Sequence, residues 1–190
     1  MNVDERREQL LELALELFAE RTFEEISIDE IAQTAGISKG LLYHYFPGKR
    51  AFYVAAVRHA AEQLLSETTG KVEAARDEEV EQGELLRVGL SAYLDFIEKR
   101  ATTFIFLMRG GMAGDPEVRA AVDSTRQAFI EVMLEGSADG DDPRARTAVK
   151  GLIGFIEEAS LDWLGHQDFP RDELANLVVR VGLATASAFA

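Results

Sequence analysis

Apolar residues recur along most of this chain at intervals of three and four, and the strict alternation of a half-buried strand is nearly absent. The pattern predicts an all-α protein. From Asp4 to Arg21, Leu10, Leu13, Ala14, Leu17 and Phe18 share one helical face, with Glu12, Glu16 and Glu20 opposite. Thr22 to Glu25 breaks that period. Ser27 to Glu30 then reads as a capping box, the Ser27 hydroxyl accepting from the Glu30 N–H and the Glu30 carboxylate reaching back. The helix it opens buries Ile28, Ile31, Ala32 and Ala35 and stops at Gly36, the residue best suited to a left-handed exit. Ile37 is an apolar anchor in the turn, and Ser38 is a candidate N-cap for a short helix to about Tyr45. Pro47-Gly48 interrupts, and a fourth helix starts near Lys49 with Phe52, Ala56 and Val57 inward.

Beyond about Ser66 the chain turns polar. Lys71 to Gly83 reads as an exposed helical extension or a loose connection. Helices are expected again at about Glu84–Arg100, Thr102–Arg109, Asp115–Glu135, Arg144–Leu164 and Arg171–Phe189, about nine in all. Gly110-Gly111 and Gly114-Asp115-Pro116 mark a turn. Asp142 and Pro143 read as N-cap and first helical residue. No internal repeat occurs. The expected organisation is a three-helix head over residues 1–48 and a larger helical-bundle body over residues 49–190.

Two short helices joined by a glycine turn, packed on a longer first helix, make a helix-turn-helix. Its second helix must turn polar and aromatic groups outward while Ile37, Leu42 and Phe46 hold it to the core. Lys39, Gly40 and Tyr43 fall on one side of it. That side suits a DNA major groove. Lys39 can reach guanine O6 and N7, Gly40 permits close approach, and Tyr43 can touch a thymine methyl or a phosphate. Flanking phosphate contacts are expected from Ser27 and Lys49 at helix starts, and from His44 and Tyr45. Tyr45 suits a core position equally well.

Charge complicates this reading before it supports it. The 190 residues carry a net charge of −14, which taken whole argues against a nucleic-acid binder. Yet no Asp or Glu occurs between Ile31 and Ala61, a window that holds Lys39, Lys49, Arg50 and Arg58. Phosphates respond to the potential within about a Debye length, ~8–10 Å, so the expected DNA contacts are confined to this acid-free face and Ser27 beside it.

The remaining composition mostly excludes. There is no cysteine, so disulfides and thiolate metal sites are ruled out. His44, His59 and His166 lack metal-ligand spacing, and His59 and His166 read as unremarkable surface or helix-end residues. No nucleophile–base pair or glycine-rich phosphate loop points to catalysis, and no metal or cofactor is implied. No apolar run approaches the ~20 residues that span a bilayer. The first residues lead into the amphipathic pattern with no signal-peptide character, so a soluble cytoplasmic protein is expected.

Ile31-Ala32, then Ala35-Gly36-Ile37-Ser38-Lys39-Gly40, then Leu42-Tyr43-His44-Tyr45-Phe46, then Lys49 closely resemble the DNA-binding head of TetR-family regulators. Arg21-Thr22-Phe23 stands where that family often has a glycine. The resemblance implies a divergent helical body that dimerises and often holds a small effector. It implies a homodimeric repressor on a palindromic double-stranded DNA operator.

Within the body, Val149, Leu152, Ile153, Ile156 and Trp163 line one side of a helix that is apolar almost all round. The last helix carries Leu174, Leu177, Val178 and Val181, then small residues. Two helices from each subunit would make a four-helix interface through Leu152, Ile156, Leu174, Leu177, Val178 and Val181. Ordinary intrachain core accounts for the same pattern. Tyr93, Phe96, Phe104, Phe106, Met108, Met112, Phe129, Met133, Phe155 and Trp163 suit either an apolar effector cavity or plain core. Glu157 and Glu158, in an apolar helix, must be exposed, pair with an arginine such as Arg109, or meet a ligand. A constitutive DNA-binding protein without an effector, a protein-interaction module and an enzyme are the alternative functions.

Overall fold

The computed structural model describes residues 3–21, 23–78, 80–101, 104, 114–135 and 141–187. Among these are eight principal α-helices and no strand: α1 (Val3–Glu20), α2 (Ile28–Thr34), α3 (Lys39–Tyr45), α4 (Lys49–Asp77), α5 (Gln82–Lys99), α6 (Pro116–Leu134), α7 (Pro143–His166) and α8 (Arg171–Ser187). The helix expected over residues 102–109 lies, Phe104 apart, outside the described residues. The polar stretch after Ser66 resolves in favour of a helical extension as far as Asp77, because Val72 and Ala75 give it a buried stripe.

The chain divides into two compact units, residues 1–62 with 100–122, and residues 63–99 with 123–190. The first is built around α1. Its buried stripe keeps the expected Leu10, Ala14 and Phe18 and adds Leu11 and Leu15, with Leu13 and Leu17 half-buried at its margin. Ile31 and Ala32 of α2, Leu42 of α3, and Phe46, Phe52, Tyr53, Ala56 and Val57 complete the core, joined by Val118 of α6. Aromatic rings pack within it: Phe18 meets Tyr53 edge-on at 4.9 Å and Phe46 meets Phe52 at 5.0 Å. Such edge-to-face pairs add to area burial and fix ring orientation.

In the second unit α8 packs against α7 and α5. Leu90, Leu94 and Ile97 of α5, Leu152 and Leu161 of α7, and Leu174 and Val178 of α8 are buried together. The approach is close. A Cβ on Gly182 would run into the end of the Leu86 side chain, which would have to shift to admit it. Asp142 caps α7 by accepting from the Arg144 N–H at 2.8 Å, with Pro143 at the first turn as expected. At the other end Gln167 adopts φ +49° and donates to the Trp163 carbonyl at 2.7 Å, and the Trp163 indole donates to Phe169 O at 2.9 Å. The first of these answers one of the unpaired carbonyls of the helix C-terminus, and the second fastens the chain that follows it.

Candidate nucleic-acid interface

The helix-turn-helix forms for reasons visible in its own residues. Ser27, in an extended conformation, accepts from the Glu30 N–H at 3.1 Å and caps α2. The expected return bond is replaced: the Glu30 carboxylate pairs with Arg21. Gly36 takes φ +64°, open to a residue without a Cβ, and lets Ile37 N–H bond Ala32 O at 3.0 Å. Ser38 caps α3 by accepting from the Leu41 N–H at 3.2 Å. From α1, Arg6 straps the turn by donating to Ala35 O at 3.2 Å.

With Leu42 fully buried and Phe46 beneath it, the opposite face of α3 is turned outward. Lys39, Gly40, Leu41, Tyr43 and His44 are all exposed, Tyr43 at 46% and Leu41 at 40%. Tyr45 is half-buried against the core, its ring 6.3 Å from Phe46 and 5.7 Å from His44. Leu41 was not among the expected interface residues. The signal for it was the pair Leu41-Leu42: on one helix turn only one of two adjacent leucines can face inward, and the i, i+4 partner Phe46 selects Leu42.

The cations need a correction. The window free of acids in sequence is not free of them in space. Lys39 sits 2.8 Å from Asp29, and this hydrogen bond raises the lysine pKa. Arg50 grips Asp115 through two bonds of 2.7 and 2.9 Å and reaches Glu117 at 2.8 Å, while Arg58 meets Glu117 at 2.9 Å. Lys49, expected on phosphate, donates to Phe23 O at 2.7 Å and Ile26 O at 2.9 Å and lies over the Phe23 ring at 4.2 Å. It ties down the α1–α2 connection. His59 also departs from the surface role expected of it, being half-buried 2.9 Å from the Glu12 carboxylate.

Residues 10–56 match the family described as bacterial regulatory proteins of the tetR family, and residues 82–185 match the tetracyclin repressor-like C-terminal domain. The chain belongs to the TetR family. A solved tetR-family transcriptional regulator from Streptomyces coelicolor is 36% identical, with a TM-score of 0.78, covering 99% of this chain and 85% of that one. The transcriptional activator FasR of Mycolicibacterium smegmatis is 29% identical over 90% of this chain and 77% of its own length. The regulator FadR of Bacillus subtilis, solved in complex with stearoyl-CoA, shares the fold at 19% identity, with a TM-score of 0.73, covering 91% of this chain and 95% of that one. This TetR-family chain is accordingly a DNA-binding transcription regulator. Among the described residues, no helix is long and apolar enough to cross a membrane, and no three His, Asp or Glu side chains are grouped to hold a metal ion.

The residues singled out in the TetR-family body fall in different places. Tyr93, Phe96 and Trp163 are buried, and Phe129, Met133 and Phe155 half-buried, in the second unit; Phe104 is half-buried and belongs to the first. Phe106, Met108 and Met112 lie outside the described residues. Leu152, Leu174 and Val178 are covered by the chain's own helices, and Ile156 and Val181 are half-covered. Leu177 at 39% and Leu183 at 50% stay exposed. They border a groove of about 680 Å³ lined also by Arg87, Phe169, Asn176 and Arg180. Glu157 pairs in bidentate fashion with Arg126 at 2.9 Å, and Glu158 is exposed. The Tyr93 hydroxyl lies beside Ser160, and burial pushes it above the ordinary phenol range.

Proposed function

We propose that this regulator is a cytoplasmic homodimeric repressor that sits on a palindromic operator and is released by a small, largely apolar effector. The observation that carries the reading is the outward face of α3, where Tyr43 stands exposed on a helix whose opposite side is locked into the core. In this reading residues 1–48 are the DNA-binding domain. Lys39, Gly40 and Tyr43 enter the major groove, and Ser27, His44 and Tyr45 set register on phosphates, while Lys49 holds the α1–α2 connection in place for them. Lys39 and Asp29 are both exposed, and a surface pair of this kind opens at little cost when a base edge or phosphate competes.

Residues 49–190 are the dimerisation and effector domain. A second copy covers the α8 groove with Leu177 and Leu183, and the half-buried Ile156 and Val181 are further candidates for that interface. The buried and half-buried aromatic residues of the second unit supply an apolar effector site, a reading supported by the stearoyl-CoA held by the FadR relative. An effector that prefers the body shape with the wrong head spacing shifts the dimer off DNA. FasR is named an activator, which favours a second reading in which the bound dimer raises transcription instead.

Genome-wide footprinting with and without the chain, followed by transcript levels of the flanking genes, tests both. The repressor reading expects bound palindromes and transcripts that rise when the chain is removed. Transcripts that fall select the activator.

A further inference from the structure

Glycine at position 40 answers no need of the fold. Positive φ among the described glycines is confined to Gly36 and Gly48. A Cβ at Gly40 would meet only Ser38 Oγ, at an ordinary 3.9 Å. Glycine inside a helix weakens it relative to alanine, and α3 has only seven residues to lose. Beside it the chain exposes a leucine, also without structural reason. Of the large apolar side chains exposed among the described residues, two stand on this one short helix, Leu41 and Tyr43. At 100° per residue they flank Gly40, Leu41 on one side and Tyr43 on the other, so the outward face of α3 is a notch between two walls.

We propose that this notch reads thymine: the 5-methyl group of one thymine in each half-site enters beside Gly40 and packs against Leu41. Among the four bases only thymine shows an apolar group in the major groove, so a leucine there can contribute specificity only through that methyl. The absent Cβ at position 40 lets the helix backbone come close enough for the contact. Leu41 is thus a specificity-determining residue, and Lys39 and Tyr43 act beside it. The inference rests on the reading that α3 enters the major groove.

The test uses the full chain. Sites are selected from a randomised duplex library, and each thymine of the selected site is then replaced singly by deoxyuridine, which removes only the methyl. Binding is followed by fluorescence anisotropy. One thymine per half-site should show a loss of about fourfold, the worth of one buried methyl group. In Leu41→Ala that loss should vanish while the other positions keep their preferences. Gly40→Ala should raise the melting temperature yet weaken the selected site, opposite signs that a structural glycine could not give. A selected site indifferent to every uracil overturns the inference and leaves the α3 interface standing, as does a uracil penalty that persists in Leu41→Ala. Failure to select any site overturns the interface reading and this inference together.

Discussion

The two units of the chain handle their polar groups differently. In the first, beside an aromatic and aliphatic core, Lys39 meets Asp29 at the surface, while an exposed Arg50 covers an Asp115 side chain that is only 7% exposed. What that unit leaves over, Gly40, Leu41 and Tyr43, faces outward. In the second, polarity goes inside: Thr68 and Ser160 are buried, the Tyr93 hydroxyl lies beside Ser160, and the Glu157 carboxylate is mostly covered by its pair with Arg126. The outward face of the first unit is therefore built by one contiguous stretch of chain, whereas the polar interior of the second draws groups from α5, α6 and α7 together by tertiary packing.

The largest expected effect comes from opening the apolar core of the first unit. Phe52 is fully buried between Phe18 and Phe46. Phe52→Ala should cost about 3–5 kcal/mol, the usual range for a buried phenylalanine. Denaturant unfolding reads it, and operator binding should fail with it. A cost under about 1 kcal/mol would mean that the unit is loosely packed, and the contrast drawn above would lose its first term.

The polar interior of the second unit should give a smaller loss. Glu157→Gln removes the bidentate partner of the Arg126 guanidinium and leaves it half-covered with Asp123, at 3.1 Å, as its remaining carboxylate. With that guanidinium more than a third exposed, solvent screens much of the penalty, and the expected cost is about 1–2 kcal/mol. Replacing both partners by apolar residues, Arg126→Met with Glu157→Leu, should recover most of that stability. If the double variant is instead worse than the single one, the pair is held in place by more than its own two members, and the second unit's polar groups act as a network.

The sequence made these regions legible to different degrees for a physical reason. The helix-turn-helix is specified by local rules. Ser27, Gly36 and Ser38 each satisfy a backbone requirement within three or four residues, so caps, turn and helix ends were all readable. The expected acid-free face failed for the arginines because Asp115 and Glu117 lie more than fifty residues from them, beyond local charge counting, and for Lys39 because Asp29 stands just outside the window that was counted. For Glu157, pairing with an arginine such as Arg109 stood beside exposure and ligand contact; it does pair, but the choice of Arg126 is a tertiary fact. Leu174 and Val178 show the same limit. Apolar periodicity marks a face as buried without saying whether its own chain or another covers it.

The smallest effect isolates the charge that local counting missed. Asp115 is held below the ordinary carboxylate range chiefly by the Arg50 guanidinium, with help from the N–H groups of Glu117 and Val118. Its folded pKa is depressed, so the stability it contributes is present above the ordinary carboxylate pKa and is lost as pH falls through that value toward the lower, folded one. Asp115→Asn keeps a good helix cap while removing the charge, so α6 should still start at Pro116. The stability difference between wild type and variant should therefore shrink as pH drops below about 4, and be pH-independent near neutrality. At neutral pH the same substitution leaves Arg50, one residue beyond Lys49 at the start of α4, held by the Glu117 carboxylate alone. If Arg50 then reaches a phosphate, binding to random-sequence DNA should tighten and the salt slope should steepen by up to about 0.9. An unchanged slope would show that Arg50 lies beyond phosphate reach, and that Asp115 and Glu117 hold α4 in place without tuning its charge toward DNA.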